Sequence, residues 1–185
     1  LNDLNDEAPV FTSASSFTVD ENTTAVGTIV ASDADANTTL SYSLGGTDAG
    51  SFGLDSTSGV LTFASAPDYE TKSSYSLTVT VSDGTNASTQ NISVNINDID
   101  EKPIITSGST FTANENQTAI GSITATDESS DLIYELGGTD AGSISINNLD
   151  GTMTFNSAPD YEIKSSYSLI AYVSDDNFTS RKAIQ

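Results

Sequence analysis

Apolar and polar residues alternate along most of this chain with a period of two, the signature of strands that bury one face. Tyr75, Leu77, Val79 and Val81 alternate with Ser76, Thr78 and Thr80, and Ile92, Val94 and Ile96 form a second such run. Leu40, Tyr42 and Leu44 make a third, and Leu61 with Phe63 a fourth. Ser58-Gly59 and Asp150-Gly151 read as hairpin turns. Gly45-Gly46 and Gly137-Gly138 also read as turns, because neither is followed by the Lys and helix of a phosphate loop.

The pattern occurs twice. Ala66-Pro67-Asp68-Tyr69-Glu70 returns as Ala158-Pro159-Asp160-Tyr161-Glu162, and Leu44 to Ser51 returns as Leu136 to Ser143, both 92 residues later (158 − 66 and 136 − 44). Upstream, Phe17, Glu21 and Asp33 match Phe111, Glu115 and Asp127 at an offset of 94, so the second copy lacks two residues between Asp127 and Tyr134. Its strand residues Tyr134, Met153, Phe155, Tyr167, Leu169, Ala171 and Val173 repeat the first copy's phases. Gln185 matches Ser93, so the last strand of the second copy is incomplete. About seven short strands per copy, each bounded by turn residues, predict an all-β protein: two tandem immunoglobulin-like Greek-key sandwiches, end to end. The repeated aromatic positions fall on inward phases and are read as core.

Composition narrows the function. The 185 residues carry 26 Asp and Glu against 5 Lys and Arg, a formal net charge of −21. Nucleic acid needs a basic footprint and is excluded as a partner, and direct membrane insertion has no supporting segment. There is no His and no Cys, so the usual general base, zinc ligands and disulfides are absent. No reaction is expected: Asp68 and Glu70 could form a hydrolytic carboxylate pair, but nothing supplies a third group. The first residue is Leu1 rather than Met, which reads as a piece excised from a longer protein.

The acids gather in four places per copy. One is the segment before each copy: Asp3, Asn5, Asp6 and Glu7 before Pro9, then Asp98, Asp100 and Glu101 before Pro103. The second is Glu21, or Glu115. The third is Asp68 with Glu70, or Asp160 with Glu162. The fourth is Asp33, Asp35, Asn37 and Asp83, or Asp127 with Asp175. A solvated acidic surface is the plain alternative; carboxylate and amide oxygens gathered this way also suit calcium, which takes 6–8 hard oxygen ligands.

This order resembles the cadherin-like tandem repeats, as they occur in bacterial surface and secreted proteins. That family carries an early Glu, an Asp-x-Asp, an Asp-x-Glu, a later Asp and an acidic linker ending in Pro. Asp3-Leu4-Asn5-Asp6-Glu7-Ala8-Pro9 resembles its linker, and Asp98 to Pro103 its shorter form. The resemblance implies a division into residues 1–8 as the linker from an upstream repeat, 9–97 as the first repeat, 98–102 as a calcium-binding linker and 103–185 as the second repeat. It also implies calcium ligands shared by two repeats: Glu21, Asp68 and Glu70 of the first; Asp98, Asp100 and Glu101 of the linker; Asp127 and Asp175 of the second. Asp3, Asn5, Asp6, Glu7, Asp33, Asp35 and Asp83 would serve an upstream junction, and Glu115, Asp160 and Glu162 a downstream one. The second copy departs from the family by reading Asp127-Glu128-Ser129 in place of Asp-x-Asp, and Lys102 sits beside the linker acids.

What the resemblance implies is an extracellular or cell-surface, non-catalytic module of a large adhesin, with calcium as its cofactor. Its partners would be the neighbouring repeats, a cell-surface protein or a polysaccharide. The alternative is a carbohydrate-binding accessory module. That use wants exposed aromatic rings, and Tyr172 and Phe178 are the two candidates.

Overall fold

The computed structural model describes residues 4–36, 38–128 and 131–185; Asp3, Asn37 and Ser129 lie outside them. The chain divides into two compact units, Leu1–Ile99 and Asp100–Gln185. It is all-β, and among the described residues no helix is long and apolar enough to cross a membrane.

The first unit holds nine strands among the described residues: β1 (Val10–Phe11), β2 (Ser16–Asp20), β3 (Ala25–Thr28), β4 (Ala31–Ser32), β5 (Ser41–Gly45), β6 (Phe52–Leu54), β7 (Val60–Phe63), β8 (Ser74–Ser82) and β9 (Ala87–Asn97). One sheet runs β2-β9-β8-β5 and another β3-β7-β6, with β1 and β4 as a separate short pair. The count exceeds the expected seven because β1 and β2, and β3 and β4, are each separated by a few residues outside the regular ladders. The alternation does what a half-buried strand requires. Leu77, Val79 and Val81 of β8 and Ile92, Val94 and Ile96 of β9 are buried, and they meet Leu61 and Phe63 of β7 and Phe52 of β6. Phe63 and Tyr75 close this core with ring centroids 5.1 Å apart. The β2–β9 pairing is parallel, from Ser16 opposite Ser93 to Asp20 opposite Asn97. All other ladders in the unit are antiparallel.

The second unit repeats the plan with β10 (Ile104–Ile105), β11 (Ala119–Ser122), β12 (Ala125–Thr126), β13 (Ile133–Gly137), β14 (Ile144–Ile146), β15 (Thr152–Phe155), β16 (Leu169–Ser174) and β17 (Thr179–Ile184). Its sheets are β13-β16-β17 and β11-β15-β14, with β10 paired to β12. Ile123, Met153, Leu169, Ala171 and Val173 form the centre of its core. The counterpart of the β2–β9 ladder is represented by two bonds, Phe111 N to Gln185 O and Gln185 N to Ser109 O. One expectation fails here. Tyr161, read as inward like its counterpart Tyr69, is 65% exposed, whereas Tyr69 packs against the first core.

The turn after β5 carries an arrangement that sequence inspection missed. Asp48 accepts a hydrogen bond from the Ser76 backbone N–H at 2.8 Å and pairs with Lys72 at 2.5 Å, while the Lys72 ammonium lies 4.7 Å from the centre of the Tyr75 ring. Asp140, Ser168, Lys164 and Tyr167 repeat the set. The Lys72 hydrogen bond, then that from Ser76, holds the Asp48 carboxyl below its usual range. A depressed carboxyl contributes stability that is present above its unfolded pKa and is lost as pH falls through the folded value. Asp48→Asn should therefore lower the melting temperature at neutral pH, and the gap from the parent should close as pH falls below 3.8. Melts across this range check it; a gap unchanged at the acid end would contradict the account.

Candidate metal centre

Glu21 follows directly on β2 and is only 2% exposed. A carboxylate that deep needs donors, and it has two: Oε2 accepts from Tyr69 N–H at 2.8 Å and Oε1 from Ile99 N–H at 2.9 Å. It thereby ties the Pro67–Glu70 loop and the segment leaving β9 to the end of β2. Glu21, Asp68 and Glu70 can each bring a carboxylate oxygen within 4.8 Å of the others. Asp68 is held in its turn by Thr71, through the backbone N–H and the hydroxyl. Glu70 hydrogen-bonds its own backbone N–H, which favours its anion. Loss of solvent and the charges of Glu21, Asp98 and Asp68 outweigh that bond and raise its pKa. Four carboxylates of one unit therefore share a small volume in which negative charge is unfavourable.

The other end of the first unit is built differently. Asp83 closes β8 and is 9% exposed; its Oδ1 accepts from Thr85 N–H at 2.7 Å and Asn86 N–H at 2.6 Å. Burial alone would push its carboxyl up, but the Asn86 and Thr85 donors outweigh it and the pKa is lowered. Its Oδ2 is buried with no hydrogen-bond partner, and so is Oδ2 of Asp33. Asp33 Oδ1 accepts from Asp35 N–H, and Asp35 Oδ2 accepts from the N–H groups of Asp6 and Glu7. Asn86 donates to the Glu7 carbonyl, and Asn5 donates to Thr85. Asp33, Asp35 and Asp83 have ligand oxygens within 4.8 Å of one another.

The second unit reproduces both ends. Asp175 Oδ1 accepts from Asn177 N–H and Phe178 N–H, and its Oδ2 is buried with no hydrogen-bond partner. Asn177 also donates through its side chain to Asp100. Asp127 follows β12, and Glu128 Oε1 accepts from Glu101 N–H at 2.6 Å. Asp100, Glu101, Asp127 and Asp175 thus belong to one end of this unit. Glu115, Asp160 and Glu162 cluster at the other, where Glu115 accepts from Tyr161 N–H.

Glu128 is a candidate ligand that sequence reasoning passed over. It does for the second unit what Asp35 does for the first, receiving the backbone N–H of Glu101 as Asp35 receives that of Glu7. Position 35 corresponds to Ser129, so the acid has moved back one residue and gained one methylene. An acid next to a missing Asp, with a longer reach, was the available signal.

These donor sets are all oxygen. Buried carboxylate oxygens that find no proton donor are the groups a cation satisfies, and hard oxygen ligands without N or S suit calcium. The residues present fit that ion.

The Cadherin domain family matches residues 15–97. Cadherin EGF LAG seven-pass G-type receptor 2 of Mus musculus is 32% identical over 98% of the chain, and Protocadherin Fat 4 of Mus musculus is 32% identical over 91%. The chain belongs to the cadherin-like repeats. Human Protocadherin-24 EC1-2 shares the fold, with a TM-score of 0.66 at 21% identity over 97% of this chain and 95% of that one. The chain spans only 3% to 7% of the curated relatives it matches. In this cadherin-like chain, the acids that mark the family motif are those at the ends of the two units.

Proposed function

We propose that this chain is a non-catalytic calcium-binding repeat module of a larger extracellular, adhesion-type protein. Calcium takes ligands from Glu21, Asp68, Glu70 and Asp98 of the first unit and from Asp100, Glu101, Asp127 and Asp175 of the second, with Glu128 standing in for the missing second acid of the family motif. The observation that carries the reading is Asp83. A nearly buried carboxylate with one oxygen doubly hydrogen-bonded and the other without a donor is an arrangement that a cation completes. Family membership supports the same reading. Asp33, Asp35 and Asp83, and Glu115, Asp160 and Glu162, are the matching sets for further repeats.

Calorimetric titration tests this. Binding is expected with a Kd on the order of 10⁻⁴–10⁻³ M, as for extracellular modules. Asp98→Ala should weaken it, whereas Asp48→Ala should not, since Asp48 is engaged with Lys72 and Ser76. Absence of binding through the millimolar range would overturn the proposal.

A further inference from the structure

The chain has only five basic residues, and their placement is uneven. Lys72 and Lys164 form the two ion pairs found among the described residues. The other three, Lys102, Arg181 and Lys182, line one shallow hollow of about 360 Å³ in the second unit, together with Ile104, Ile105 and Ser180. In a chain of net charge −21, cations spread among the acids would relieve the most repulsion. Here they converge. The first copy has Ala8, Thr89 and Gln90 at the matching positions, so the hollow belongs to the second copy alone.

Beside it lies an aromatic ring. Tyr172 sits on the outer face of the β13-β16-β17 sheet, directly opposite Arg181 on one side and Glu135 on the other. Its ring is laid across β13 in the space left by Gly137, where an added Cβ would meet Tyr172 Cε2 at 2.8 Å. Gly45, the first-copy counterpart, has only the Thr78 carbonyl oxygen near that point, at 3.8 Å. The matching row in the first copy is Ser43, Thr80 and Thr89, without ring or charge. The second copy therefore has a flat ring with a guanidinium on one flank and a carboxylate on the other, while Lys182, on the opposite phase of its strand, donates to the Ser107 carbonyl.

We infer that this face binds a glycan bearing a uronic acid. A sugar ring presents a flat C–H face that stacks on tyrosine. A sugar carboxylate forms paired charge-assisted hydrogen bonds with a guanidinium, and sugar hydroxyls donate to a carboxylate. Arg181 and Glu135, two strands apart, fix the orientation: the uronate lies toward Arg181, and the hydroxyls toward Glu135. The chain's overall negative charge opposes an anionic ligand only over a short range, because the screening length is about 8 Å at physiological ionic strength.

The test is binding of a galacturonate tetrasaccharide and of neutral cellotetraose to the 185-residue chain, followed by calorimetry and by the Tyr172 ring signals in NMR, in calcium and in chelator. Tyr172→Thr and Arg181→Thr install residues that the first unit folds with at the same places. Binding of the uronate in both media, with the ring signals shifted and affinity lowered about tenfold or more by each variant, is the expected result. Equal affinity for cellotetraose would remove the role of the cations. Binding unaffected by both variants, or no binding of either sugar in the millimolar range, would overturn the site. Concentration-dependent dimers that Arg181→Thr abolishes would replace the sugar with a second copy of the chain.

Discussion

Gly59→Ala will unfold the first unit at temperatures where the second remains folded, and Gly151→Ala will do the converse. Gly59 ends the turn between β6 and β7 with φ of +71°. A Cβ there would lie 2.1 Å from the backbone oxygen of Ile29, a residue with no exposure. Neither atom can retreat, because Ile29 N–H donates to the Gly59 carbonyl at 2.8 Å and Gly59 N–H donates to Asp55 O at 2.9 Å. Gly151 has φ of +70° and the same 2.2 Å approach to Ile123 O. Left-handed strain and backbone overlap together cost about 2–5 kcal/mol. For a domain of this size that lowers one transition by roughly 10–30 °C. Calorimetry on each variant checks it, and a melt superimposable on the parent's would show that the turn relaxes freely.

Calcium will raise the melting temperature of the chain, and chelation will reverse the rise. At roughly a hundredfold excess over Kd, each site that binds only the folded form adds about 2.7 kcal/mol. Sodium at equal ionic strength will do much less, because screening lowers the repulsion around Glu70 without supplying a ligand partner. If calcium draws ligands from both units, scattering profiles with calcium and with chelator will differ, the calcium form showing a narrower distribution of interdomain angles. Profiles and melts that superimpose would remove calcium as a stiffener.

The strand core was legible because its residues obey a local rule. Leu77, Val79 and Val81 alternate with hydroxyl residues, and all three are buried. The turn glycines Gly46, Gly59, Gly138 and Gly151 were legible for the same reason, whereas Gly45 and Gly137, read with them as turns, are the last residues of β5 and β13. The candidate ligands were legible through order and repetition: Glu21, Asp68 and Glu70 lie far apart in sequence but cluster in space. What escaped depends on long-range geometry. The parallel pairing of β2 with β9 leaves no pattern in either strand. Asp48 and Lys72 stand 24 residues apart, as do Asp140 and Lys164, a coincidence visible only once the fold brings them together. Glu128 escaped because a search by fixed spacing looks at position 129, while a carboxylate one residue earlier reaches the same donor with one more carbon.

The parallel ladder also decides how the first unit meets tension. The chain runs up β2 near its start and up β9 near its end, side by side and in one direction. A pull on the two ends drags these strands in opposite senses along their own axes. The bonds of the ladder, from Ser16 beside Ser93 to Asp20 beside Asn97, are then loaded together in shear. An antiparallel hairpin pulled at its open end would instead lose its bonds singly, in sequence. Glu21 extends this lock past the end of the strands, because its carboxylate grips Ile99 N–H just where the chain leaves. A force along the chain therefore meets its stiffest element first.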